Sequence, residues 1–219
     1  MGDQQVNLLE RMNTLAINAK LGDGHYWRHP ECVNDKILFT STDPGLLQAK
    51  VNLAPDLFPS GVKVIRKAGE VKGVTKNAKT LYVITSRVSP IFTQFRHMNI
   101  LDILPRLTIR DFGLWYLDDG CCIYRNDHPN PGTYRFRLCI GRAGETQELC
   151  SCFMDKIASL FPNEHKLGRV HLNNSKDSER NKTWAIPVKI ARCIMDSIKD
   201  FYIIPHKFPY EKTPETISL

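Results

Sequence analysis

What the chain lacks narrows it first. No apolar run approaches the roughly 18 residues that a membrane-spanning helix needs, and the opening stretch MGDQQVNLLERMNTL carries no signal-peptide pattern. The seven cysteines, at 32, 121, 122, 139, 150, 152 and 193, are odd in number and scattered. Neither the adjacent Cys121-Cys122 nor Cys150-Ser151-Cys152 has zinc-site spacing, and no histidine pair completes one. They read as small buried thiols in a reducing compartment, which makes an intracellular protein the expectation. Acidic residues are scarce where basic ones gather. Between Gly61 and Tyr82, Glu70 is the one acid against six Lys or Arg; between Arg125 and Arg142, Asp127 stands against four arginines.

With 219 residues, 42% apolar and 24% charged, the composition is that of a globular protein with room for one large domain or two small ones. The net charge of +7 suits a polyanionic partner, and its clustering into two basic stretches is more informative than its total.

The order of elements repeats. Leu8, Met12, Leu15 and Ala19 mark one face of a helix that stops at Gly22-Asp23-Gly24. HYWRH and KILFTS read as strands, and DPGLLQAKV as a helix with Asp43 as N-cap and Pro44 in its first turn. GVKVIRK and TLYVITSR alternate with period two, as half-buried strands do. SPIFTQFRHMNIL then opens a helix at Ser89. The second half starts again with Thr108-Ile109-Arg110-Asp111, a capping-box-like entry into the helix that carries FGLWYLDDG. CCIYR and YRFRLCIG read as strands, ETQELCSCFMDKIASLF as a helix, HKLGRVHL and TWAIPVKI as strands, and ARCIMDSIKDFY as a last helix. Both halves are αββαββα. A tandem duplication explains this, with residues 1–104 as one copy, 105–219 as the other, and the seam at Leu101 to Leu107. Two like copies pack most simply about a pseudo-twofold axis. Ala16, Ala19 and Gly22 in one initial helix and Gly113 in the other are small enough for close helix approach.

Each initial helix ends in an acid and a glycine, Asp23-Gly24 and Asp119-Gly120. Asp-Gly after a helix is an ordinary turn. Its recurrence at the same place in both copies, after helices apolar enough to be buried, points further. Like charges gathered at one spot repel unless a cation lies between them, and few oxygen ligands completed by water and phosphate suit Mg²⁺. Metal-bridged carboxylates beside a basic sheet make a phosphodiester hydrolysis site.

AINAKLGDG and FGLWYLDDG resemble the two signature helices of the LAGLIDADG homing endonucleases, and LPRLTIRDFGLWYLDDG is close to the phage, bacterial and organellar branch of that family. The resemblance covers essentially the whole chain. It implies an α+β fold of two antiparallel four-stranded sheets forming a DNA-binding saddle. It implies a monomeric endonuclease that makes a double-strand break with short 3′ overhangs in a long double-stranded DNA target. Two or three Mg²⁺ ions near the pseudo-twofold axis are implied, held by Asp23 and Asp119 with the carbonyls of Gly22 and Asp118. A basic residue after the third helix of each copy is implied as a catalytic partner, Arg106 in one and Lys207 (rivalled by His206) in the other. The strands would lie in the major groove. Arg66, Arg135 and Arg137 are then expected at bases or phosphates; Lys63, Lys67, Lys72, Lys76, Lys79, Arg142, Lys166, Arg169, Lys176, Arg180 and Lys182 are expected at phosphates. The setting implied is a bacterial or phage cytoplasm, or an organelle.

Other residues invite plainer readings. Trp27, Trp115 and Trp184 read as core or sheet-packing residues, because an indole buries much area. His25 reads as a strand histidine and His97 as a partly exposed one. Lys20 and Asn18 depart from the small, neutral residues usual in the first signature helix. Two binding functions compete with cleavage on the same scaffold: an intron RNA maturase, and a catalytically idle DNA-binding regulator.

Overall fold

A computed structural model of the chain describes residues 2–67, 79–125, 133–140, 146–172, 182–202, 204 and 207, with the side chains of 2–7, 125 and 172 left aside. The chain divides into two compact units, Met1–Met98 and Asn99–Leu219. The first contains α1 (Gly2–Leu21), β1 (Gly24–Trp27), β2 (Lys36–Ser41), α2 (Pro44–Leu53), β3 (Lys63–Arg66), β4 (Leu81–Thr85) and α3 (Pro90–His97). The second begins with a short helix α4 (Ile100–Ile103), followed by α5 (Ile109–Asp119), β5 (Gly120–Arg125), β6 (Thr133–Cys139), α6 (Gln147–Leu160), β7 (Arg169–Leu172), β8 (Lys182–Ile186) and α7 (Val188–Asp196). The αββαββα order thus occurs in each unit, and the protein is α+β with two four-stranded antiparallel sheets. Their strand orders, β1-β2-β4-β3 and β5-β6-β8-β7, are the same path drawn twice.

Local chemistry opens the helices where the sequence places them. Asp43 Oδ1 accepts from the Gly45 and Leu46 N–H groups (2.9 and 3.3 Å), and Pro44 fills the first turn, where no amide donor is missed. Thr108 and Asp111 form a complete capping box: Thr108 Oγ1 accepts from the Asp111 N–H, and Asp111 Oδ2 accepts from the Thr108 N–H. Two helices depart from expectation. The helix from Ser89 stops at His97 instead of continuing to Leu101, because Met98 is extended and Asn99 caps a new helix through the Leu101 N–H. In the stretch read as the strand TWAIPVKI, Pro187 ends β8 and serves as the N-cap of α7, which starts three residues before the expected ARCIMD boundary. Proline has no N–H for the sheet ladder, and its φ of −59° suits a helix entrance.

Each sheet packs its inner face on helices. In the first unit Ile37, Phe39 and Ile84 point to the side covered by α2, and all three are fully buried with Leu47 and Phe92. In the second, Phe112, Trp115, Phe153 and Trp184 form one aromatic cluster, with the Phe153 and Trp184 centroids 5.3 Å apart and edge to face. Burial of such rings contributes roughly 1.5–3 kcal/mol each. Residues Asp111 to Leu117 of α5 are buried without interruption, as for a helix enclosed on all sides. Gly113 meets its own unit. A Cβ there would lie 2.4 Å from Ile198 Cγ2 and 3.2 Å from Ser197 Oγ, in the turn after α7, so its smallness serves that packing. No described helix is long and apolar enough to cross a membrane.

Candidate active site

The acid-glycine pairs occupy matching joints. In the first unit α1 closes with the Gly22 N–H donating to the Asn18 carbonyl (2.9 Å), and Asp23 stands exposed in the turn before β1. Gly24 then pairs with Phe39 in β2. The turn lies so tightly against the helix that a Cβ on Gly24 would come within 2.3 Å of Ala19 Cα, so only glycine fits this joint. In the second unit Asp119 is the last residue of α5, half-buried with Asp118, and Gly120 enters β5 paired with Leu138. Both acids therefore sit where an apolar helix becomes the first strand of a sheet. Among the described residues no three His, Cys, Asp or Glu side chains cluster as a metal site; the first joint carries the carboxylate of Asp23 and the second those of Asp118 and Asp119, each beside backbone carbonyls. Such a sparse, hard oxygen set fits Mg²⁺, which keeps much of its water and a phosphate oxygen in its shell.

The structure supplies reasons for the two unusual residues of α1. Asn18 is buried, and its Oδ1 accepts at 2.7 Å from the ammonium of Lys50, itself 1% exposed and 4.0 Å over the Phe39 ring. A lysine enclosed this way needs a polar acceptor, and Asn18 is it. Lys20 reaches the other way and donates to the carbonyl of Arg96 in the last turn of α3 (2.7 Å), where a cation favours a helix C-terminus. Arg96 is in turn tied to Asp35, fully buried between Arg96 (2.6 Å) and Arg28 (2.8 Å). Burial alone raises the Asp35 pKa, but the hydrogen bonds from Arg28, Arg96 and Thr93 outweigh it and hold the carboxyl below its usual range.

Of the two predicted basic partners, Lys207 arrives at the second joint. Its ammonium donates to the carbonyls of Leu117 (2.6 Å) and Asp118 (2.9 Å), and its own carbonyl accepts from the Tyr116 hydroxyl (3.2 Å). The Tyr116 phenol is pushed far up, first by burial and then by the nearby Cys122 and Cys121, so it remains a neutral donor. Burial and Cys121 likewise push Cys122 up to about 11, leaving it a thiol. Arg106 is exposed at the end of a 3-10 turn, Leu104–Arg106, and His206 lies outside the described residues.

The other predicted basic residues fall into groups. Arg135 and Arg137 lie on the face of β6 opposite the core, and Arg169, exposed at the start of β7, lies on the same face. Lys63 is exposed on β3. Arg66 follows an irregularity in the β3–β4 register, its Nε buried with no hydrogen-bond partner among the described residues. Lys67, Lys79 and Lys166 are exposed in connecting segments. Lys182 shares the parity of Trp184 and Ile186, and its ammonium lies 3.9 Å from Cys150 Sγ of α6, on the helix-covered side. That placement sets it apart from the arginines. Lys72, Lys76, Arg142, Lys176 and Arg180 lie outside the described residues.

One tryptophan lies outside the core. Trp115 and Trp184 are buried as expected, but Trp27 is 42% exposed on the outer face of β1, with the Lys36 ammonium 4.1 Å over its ring. The signal was available: Gly24 and Tyr26 point inward, so period two turns His25 and Trp27 outward.

No family model and no curated protein matches the sequence. Solved structures do match the fold. The homing endonuclease I-WcaI bound to its DNA recognition sequence aligns at TM-score 0.63 and 15% identity, over 90% of this chain and 84% of that one. A variant of I-DmoI, in complex with its target DNA nicked in the coding strand and in the presence of Mn, aligns at TM-score 0.50 and 10% identity, over 90% of this chain and 99% of that one. The fold is that of the LAGLIDADG homing endonucleases.

Proposed function

We propose that this chain is a site-specific endonuclease that makes a double-strand break, with short 3′ overhangs, in a long DNA target. It acts as a monomer through two duplicated halves, residues 1–104 and 105–219, and depends on Mg²⁺. One observation carries the reading: the same helix-to-strand joint, Asp23-Gly24 and Asp119-Gly120, occurs in the same register on two copies of one topology. The likeness of that fold to a DNA-bound homing endonuclease supports the substrate.

In this reading Asp23 and Asp119 hold the metal ions, one carboxylate for each DNA strand, with the carbonyls of Gly22 and Asp118 as further donors. The bound metal supplies charge neutralisation at the scissile phosphate and a water of lowered pKa. The chain's own residues supply position. The tight contact of Gly24 with Ala19 fixes where Asp23 leaves α1. Lys207 fixes the last turn of α5 through two carbonyls and places a positive charge beside Asp119, where negative charge builds on the phosphate during hydrolysis. Arg106 is assigned the corresponding role in the other half. The outer faces of the sheets, bearing Lys63, Arg135, Arg137 and Arg169, contact DNA, and the exposed lysines of the connecting segments neutralise phosphates.

The test is to challenge the protein with randomised duplex DNA plus Mg²⁺ and to sequence the cut ends. Paired cuts offset by a few bases at one recurring sequence support the reading. Binding without cutting under these conditions would overturn it in favour of an idle regulator. Tight binding to a structured intron RNA, with no cutting of DNA, would favour a maturase.

A further inference from the structure

The two sheets carry different chemistry on the faces turned away from their helices, and the difference can be followed position by position. Gly24 pairs with Phe39 and Gly120 with Leu138, so the glycine after each acid sets a common origin. Counted from there, Leu38 of β2 stands where Arg137 stands in β6, and Lys36 where Arg135 stands. Trp27 answers to Ile123, and Thr85, opposite Leu38, answers to Ala185, opposite Arg137. Burial alternates along β2 and β6, so these residues share the face opposite Phe39 in one unit and Leu138 in the other.

In the second unit this face presents Arg135 and Arg137, with Arg169 two strands across from Arg137 through Ala185. Among the described residues no carboxylate forms an ion pair with any of the three. In the first unit the matching surface presents Trp27, Leu38, Val83 and Thr85, with His25 beside Leu38 and the exposed Lys63 beside Val83, and its central cation, Lys36, rests over the Trp27 ring. An arginine fork matches the O6 and N7 acceptors of guanine, whereas aliphatic and aromatic side chains match the methyl group of thymine.

Building on the DNA-target reading above, we infer that the recognition sequence is two-sided in composition. Guanine is selected in the half contacted by Arg135 and Arg137, and thymine in the half contacted by Leu38 and Trp27. The position equivalent to Leu38 and Arg137, one residue along the strand from the partner of each acid-linked glycine, carries the largest contrast.

Sequencing the duplexes that the full chain binds from a random double-stranded library tests this. In the half enriched for guanine, Arg137→Ala lowers guanine selectivity by roughly tenfold at one position, and Arg137→Lys, which keeps the charge and loses the fork, lowers it less. In the other half, Leu38→Ala relaxes thymine selectivity and Leu38→Arg installs guanine at that position. Thermal melts establish that each variant is folded. Two halves of equal composition, or an unchanged guanine frequency with folded Arg137→Ala, would overturn the inference while leaving DNA binding in place. Failure to enrich any duplex would overturn the DNA-target reading itself, and this inference with it.

Discussion

Lys207 donates a hydrogen bond to the carbonyl of Asp118 at 2.9 Å, across 89 positions of sequence, and a second to Leu117 at 2.6 Å. A cation at the C-terminus of α5 meets the negative end of the helix dipole and satisfies two carbonyls that the helix itself leaves open. It thereby holds the peptide group that joins Asp118 to Asp119. Lys207→Met is expected to cost about 1 kcal/mol, below the roughly 1.5–3 of a charged hydrogen bond because the residue is half-exposed. Its larger effect is on cleavage, which should fall by at least about tenfold. Urea melts and single-turnover cutting assays separate the two. Cutting reduced no more than stability explains would reduce Lys207 to a helix cap.

Asp23→Asn and Asp119→Asn keep shape and remove charge. Each is expected to abolish double-strand breakage while leaving DNA affinity within about threefold, since affinity comes mainly from phosphate contacts made elsewhere. Plasmid linearisation and filter binding read the two quantities. Full linearisation by either variant rules out its carboxylate as a metal ligand.

Gly24→Ala tests the joint without touching the acid. The new methyl meets the Cα and Cβ of Ala19 and the Phe39 ring, so α1 and β1 must separate, at a cost of about 3 kcal/mol. A lower melting temperature together with reduced cutting is expected. An unaltered protein would show that the turn has slack and that Asp23 is not held by it.

Asp35 is the pH-sensitive strut behind α3. Its carboxyl is held below the ordinary value when folded. Its contribution is therefore complete above the unfolded pKa of about 3.9 and is lost as pH falls through the lower, folded value. Asp35→Asn should cost about 2 kcal/mol near neutrality. That is less than the roughly 3–5 of a fully enclosed pair, since the Arg28 and Arg96 side chains are 35% and 43% exposed. The gap between the two proteins in chemical denaturation should stay flat from pH 7 to about pH 5 and narrow below pH 4. A gap that widens on acidification contradicts the depressed carboxyl.

DNA affinity should fall steeply as salt rises, because several phosphates are neutralised together. Six such contacts correspond to a loss of about three decades between 50 and 200 mM. Titrations at four salt concentrations give the slope, and a nearly flat line would remove the basic outer faces and connecting lysines as the DNA surface.

Much of this was legible in the chain itself. The caps at Asp43, Ser89 and Thr108, the period-two strands and the repeated order are interactions among residues a few places apart, and they survive into the fold unchanged. The misreadings share a cause. TWAIPVKI reads as one strand by its apolar content, but a missing amide at Pro187 divides it. Trp27 reads as a core or sheet-packing residue by type, and the alternation of β1 puts it on the outer face. At Gly113 the sequence shows only a small residue, and Ile198 of its own unit fills the space it leaves.

Asn18 marks the division most clearly. By itself the sequence determined that α1 is an apolar helix ending at Asp23-Gly24, because periodicity and turn chemistry act over a few residues. It made Asn18 an oddity. Only the tertiary structure brought Lys50 to it from 32 positions away, just as it brought Lys207 to the end of α5 from 89. A buried cation settles where acceptors converge, and convergence of distant segments is a property of packing that no local pattern encodes.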